Sequence, residues 1–78
     1  MLVTYDPKLN VAYIRFSEEQ RQVNSHPLTD DIIVDVDRDG KLYGIELLNA
    51  REQLRQKSGV LAFVNQATQE RSEMPIPV

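Results

Sequence analysis

The chain has no cysteine, no tryptophan, one histidine and three glycines in 78 residues. Without cysteine there is no disulfide framework and no thiolate zinc site. A single histidine, His26, cannot anchor a histidine-rich metal site. No glycine-rich phosphate cradle, Ser-His-Asp set or pair of buried carboxylates can be picked out, so most catalytic templates are excluded. Positive charge is also in short supply. Nine Lys and Arg stand against twelve Asp and Glu, for a net charge of −3. That balance argues against nucleic acid as a partner, because nonspecific binding rests on a basic surface. Apolar runs are all far shorter than the roughly 20 residues a membrane-spanning helix needs. The opening Met1-Leu2-Val3-Thr4-Tyr5-Asp6 lacks the basic region and apolar stretch of a signal peptide. A cytoplasmic protein with no membrane partner and no cofactor is expected.

What is present is one small domain, read as residues 1–71 with a tail at 72–78. A core of this size is marginal. Small scaffolds gain stability by assembling, which is a physical reason to expect an oligomer.

The most informative stretch is Asp35-Val36-Asp37-Arg38-Asp39-Gly40-Lys41-Leu42-Tyr43-Gly44-Ile45-Glu46. It matches the calcium-loop pattern D-x-D-x-D-G-x5-E, with Asp35, Asp37, Asp39 and Glu46 as ligands. A calcium hand, however, needs a helix on each side. The flanks here are Ile32-Ile33-Val34 and Ile45-Glu46-Leu47, which alternate with period two rather than 3.6. The same residues form a hairpin signal, since Asp39-Gly40 lies between two alternating apolar runs. A two-residue loop pairs Val36 with Tyr43, Val34 with Ile45 and Ile32 with Leu47 on one apolar face. A three-residue loop with a bulge would shift the register by one. The first register is preferred, because a slip of one residue turns every side chain to the other face. The acidic residues then belong to a solvated strand face, and no metal site is expected.

Elsewhere, Leu2 to Tyr5 and Val11 to Phe16 read as a hairpin, with the turn opening at Asp6-Pro7 and closing at Asn10. A weak strand from Gln22 is interrupted by Pro27. Residues 50–57 are rich in helix formers, with Asn49 as N-cap and Ser58-Gly59 as the stop. Val60, Leu61, Phe63, Val64 and Ala67 recur at helical spacing, predicting a second helix over 60–71. The expected fold is α+β: a small antiparallel β-meander of four or five strands, with one or two C-terminal helices packed on one face.

Val3-Thr4-Tyr5-Asp6, Ala12-Tyr13-Ile14-Arg15-Phe16, Ile32-Ile33-Val34-Asp35-Val36-Asp37, Asp39-Gly40 and Gly44-Ile45-Glu46-Leu47-Leu48-Asn49-Ala50 together resemble the domain of unknown function 2283 family of short bacterial proteins. The resemblance implies a small β-meander followed by a helix. It implies no established activity, cofactor or catalytic residue. Some relatives look like members of toxin–antitoxin-type gene pairs, which implies a protein partner of that kind. Residues 58–78 depart from the short pattern.

Two functional readings follow. The leading one is a non-enzymatic interaction module. Its apolar segment Val60, Leu61, Phe63, Val64 and Ala67 forms a two-fold homodimer interface centred on Phe63. The other is a ligand-binding or enzymatic subunit with a site shared across an oligomer interface, using Tyr13, Tyr43 and Glu46. Gly44, inside a strand, marks a bulge or a close backbone approach.

Overall fold

The computed structural model describes residues 1–55 and 60–75. Five strands, β1 (Leu2–Asp6), β2 (Val11–Arg15), β3 (Val23–Thr29), β4 (Ile32–Asp37) and β5 (Leu42–Leu48), form one antiparallel sheet in the order β1-β2-β5-β4-β3. A short helix, α1 (Ala50–Arg55), follows. A separate two-stranded sheet pairs β6 (Val60–Val64) with β7 (Arg71–Pro75).

The central β4–β5 hairpin keeps the expected apolar pairs, Val34 with Ile45 and Ile32 with Leu47. The turn itself differs. The Asp37 N–H donates to the Lys41 carbonyl, and the Gly40 N–H donates to the Asp37 carbonyl. The loop is therefore Arg38-Asp39-Gly40, with Gly40 at φ 80°, a conformation glycine adopts without a Cβ clash. Left uncorrected, this loop would have opposed Val34 to Gly44. A second irregularity restores the register: Asp35 pairs with Gly44 but Val36 pairs with Leu42, so Tyr43 is the extra residue. Leu42, expected on the polar face, instead opposes Val36.

Asp37 builds this turn. Its Oδ1 accepts the Asp39 and Lys41 N–H groups at 2.9 and 3.0 Å, and its Oδ2 meets Arg21 Nη1 at 3.3 Å. The Lys41 N–H, helped by the Asp39 N–H and the Arg21 charge, holds this carboxyl below the usual carboxylate range against the opposing effect of burial. A carboxylate with a depressed folded pKa stabilises the fold above its unfolded value, and that stabilisation fades as pH falls through the folded value. Resistance of the native chain to urea is therefore expected to fall on acidification below about pH 4. Asp37→Asn should flatten this acid limb. An unchanged limb would remove Asp37 from that role.

β3 runs through Pro27 rather than ending at it. It is an edge strand, where proline's missing N–H costs no ladder bond. α1 begins after Asn49, as expected, but the cap is not the Asn49 side chain, which donates to Asp31 Oδ1 at 2.8 Å. The acceptor comes from the residue that precedes β2, whose Val11 pairs with Leu48 at the end of β5. Asn10 Oδ1 takes the Arg51 N–H at 2.9 Å and the Asn10 carbonyl takes the Ala50 N–H at 3.0 Å. Asn10 Nδ2 then donates to Glu52 at 2.6 Å. Ala50 and Ala12, 0% and 1% exposed, lie where α1 packs against β2. Beyond α1, the expected stop at Ser58-Gly59 lies outside the described residues.

The expected second helix over 60–71 is contradicted: the chain there is a hairpin. Val60, Leu61, Ala62, Phe63 and Val64 make one continuous apolar run, rich in β-branched and aromatic residues that favour strands. Asn65 starts the turn, its Oδ1 accepting the Ala67 N–H at 2.9 Å. Gln69 sits at φ 67°, and the Asn65 N–H bonds to the Glu70 carbonyl. β7 then occupies Arg71–Pro75 across the boundary expected between domain and tail. Only the single helix α1 is found among the described residues, and it is too short and polar to cross a membrane.

Candidate functional site

Two places concentrate side chains with something to do. The first is a line across the polar face of the large sheet. The register puts Arg15, Gly44, Asp35 and Ser25 side by side on four adjacent strands. Tyr13 lies one step along β2 on the same face and reaches over Gly44. Its hydroxyl donates to Asp35 Oδ2 at 2.7 Å, and the Ser25 hydroxyl donates to Asp35 Oδ1 at 2.6 Å. The passage exists because Gly44 has no side chain. A Cβ there would stand 2.3 Å from the Tyr13 hydroxyl oxygen and 2.5 Å from Cζ. Both readings of Gly44 are thus realised, with a bulge beside it and a ring over it.

Burial, then the hydrogen bond to Asp35 and its charge, push the Tyr13 phenol well above its ordinary pKa. The phenol stays protonated and serves as a donor that ties β2 to β4 across β5. It is not poised to act as a base. Arg15 Nε is buried with no hydrogen-bond partner.

Of the residues of the shared-site reading, Glu46 and Tyr43 both lie near enough to Tyr13 for their charges to act on its phenol. Glu46 is the register partner of Tyr13, whereas the Tyr43 hydroxyl donates to the Glu19 carbonyl at 2.9 Å. The carboxylates of the calcium pattern are distributed among other tasks. Asp35 binds Tyr13 and Ser25, Asp37 holds the turn, and Glu46 lies on β5. His26 is exposed on the edge strand β3.

The second place is apolar. Val60, Leu61, Phe63 and Val64 lie on β6 and Ala67 lies in the following turn, and all are exposed. Leu61 pairs with Met74 and Phe63 with Ser72, so Leu61, Phe63 and Met74 share one side of the ribbon. Their exposures are 47%, 74% and 58%. The other side carries the Arg71–Glu73 ion pair at 2.6 Å. Val60 and Val64 belong to that other side, so the five residues expected to act together are divided between two faces.

Sequence reading missed the Tyr13–Asp35–Ser25 line and the capping role of Asn10. A signal for the first was present in Gly44, whose place in an apolar strand suggests a close neighbour. The second had no local signal, since cap and helix are about forty residues apart.

Searches of curated proteins and of solved structures find no match. A family model matches residues 2–51, under the description "Protein of unknown function (DUF2283)". The matched span takes in all five strands of the large sheet and the first residues of α1, and ends before β6. With most of its length covered, including the whole Tyr13–Asp35–Ser25 line, the chain belongs to the DUF2283 family of proteins of unknown function.

Proposed function

We propose that this protein is a non-enzymatic interaction module that assembles as a homodimer through the β6–β7 hairpin, with Phe63 at the centre of the contact. The observation that carries this reading is the state of that hairpin. Every residue from 60 to 75 is exposed, and among the described residues β6 and β7 pair only with each other. An isolated two-stranded ribbon is marginally stable in water. Covering its apolar side with protein supplies the missing burial. Phe63 is the most exposed large apolar residue on it, and interfaces are commonly dominated by a few such aromatic anchors. Among the described residues no group of three or more His, Cys, Asp or Glu is placed to hold a metal ion.

Light scattering at micromolar concentration tests this. The native chain is expected at twice its 9.0 kDa mass. Phe63→Asp is expected to give folded monomers, with the dissociation constant raised at least about 30-fold. A native monomer, or a dimer indifferent to Phe63→Asp, would remove the reading.

A further inference from the structure

The five-stranded sheet has an open apolar face. Its register aligns Val3, Ile14, Ile45 and Val34 across four strands. On either side of that row lie Ala12, Leu47 and Ile32, and then Phe16 and Val36. In a two-layer domain such a face is buried. Here Ile14, Ile45 and Val34 are only half-buried, and Val3 is 51% exposed. α1 is six residues long and packs against β2 at Ala12, and among the described residues no second layer of helix or sheet lies over the row.

The consequence appears in the total area. The chain exposes 6208 Å², while a compact monomer of this mass exposes about 4,900 Å². The radius of gyration is 14.0 Å, against about 11.5 Å for a compact domain of this length. The surplus, roughly 1,300 Å² per chain, exceeds the roughly 800 Å² per partner that a standard interface buries.

We infer that the β6–β7 hairpin of each chain lies across the Ile14, Ile45 and Val34 face of a second copy, in a reciprocal exchange. This rests on the homodimer proposed above and adds where its hairpin lands. The chain leaves two apolar surfaces without cover, the Leu61, Phe63 and Met74 side of the ribbon and the open face of the sheet. Hairpin against hairpin would cover the first and leave the second in water. Hairpin against sheet covers both in one contact, and two such contacts close under two-fold symmetry. The two sides of the ribbon are not equivalent: the Phe63 side is apolar, while the opposite side carries the Arg71–Glu73 ion pair along with Val60 and Val64 and is the one left toward solvent. Within one chain the hairpin shares no strand pairing with the large sheet, and its residues are all exposed.

The experiment mixes isotope-labelled and unlabelled full-length chains and reads only contacts between chains by filtered nuclear Overhauser spectroscopy, with light scattering on the same sample. Expected are cross-peaks from the Phe63 ring to methyl groups of Ile14, Ile45 or Val34 on the other chain, all lost in Phe63→Asp. Interchain peaks from Phe63 to Phe63 or Met74 would overturn the exchange while leaving the homodimer standing. A dimer whose interchain peaks avoid the hairpin would overturn it too. A monomer, with or without Phe63-to-sheet peaks inside one chain, would overturn both.

Discussion

Gly44→Val is expected to destabilise the domain by about 3 kcal/mol, through a side chain on a different strand. The new Cβ would fall 2.3 Å from the Tyr13 hydroxyl oxygen and 2.5 Å from Cζ, so the ring has to leave. When it leaves, Asp35 Oδ2 loses its 2.7 Å donor. A hydrogen bond to a charged group contributes about 1.5–3 kcal/mol. Displacing the half-buried ring also exposes apolar surface, at about 1–2 kcal/mol. Against this, valine suits a strand better than glycine by up to about 1 kcal/mol. The clash outweighs the propensity. In a domain of 78 residues a loss of this size lowers the melting temperature by roughly 12–24 °C. The control is Tyr13→Ala. In that background Gly44→Val meets no ring, so only the propensity term remains and the substitution becomes neutral or stabilising. The reversal of sign, measured by urea unfolding of the four proteins, identifies the cause. An equal loss in both backgrounds would show that the ring over Gly44 is not what makes glycine necessary.

That network shows where sequence reasoning reaches its limit. Asp39-Gly40 announces a hairpin locally, and the alternation on either side places Val34 opposite Ile45 without further information. The loop length was not legible in the same way. The side-chain pattern reports the register of the strands, and the bulge at Tyr43 hides the extra loop residue from it. Tyr13, Asp35 and Ser25 could be read only by knowing that β2 lies beside β5, with β4 and β3 beyond. Strand order is a property of long-range pairing and leaves no spacing in the chain. Pro27 misled for a related reason: its penalty depends on whether the strand is central or at an edge.

The C-terminal hairpin was missed on a different ground. Val60, Leu61, Phe63, Val64 and Ala67 satisfy helical spacing, but Val60 to Val64 is also an unbroken apolar run of strand length. Periodicity alone does not separate these cases. The side-chain chemistry does, since β-branched valines and a phenylalanine favour the strand, and Asn65 is a turn former that caps its own following N–H groups. An exposed apolar segment was legible under either reading. The change from helix to ribbon alters which residues share a face, leaving Phe63 with Leu61 and Met74 rather than with Val60 and Val64.

The same geometry sets the expected outcome for Ile45, at the centre of the open sheet face. Ile45→Ala is expected to cost about 2–5 kcal/mol at micromolar concentration, the range for truncating a fully buried side chain. Within one chain Ile45 is only half-buried, between Ile14 and Val34. On that count alone the loss would be about 1–2 kcal/mol. The difference is the share contributed by a hairpin lying on it from a second copy. Phe63→Asp removes that hairpin, so Ile45→Ala should cost only the smaller amount in a Phe63→Asp background. The two substitutions lie on β5 and β6, in sheets that do not pair within one chain. Independent distant sites add within about 0.5 kcal/mol. A coupling of about 1 kcal/mol or more between them, from urea unfolding of the four proteins at one fixed concentration, therefore requires that Phe63 and Ile45 meet. It should shrink on dilution, because stability that depends on a partner falls with its concentration. Strict additivity would place the hairpin elsewhere and leave the face of β2, β5 and β4 without the cover assigned to it.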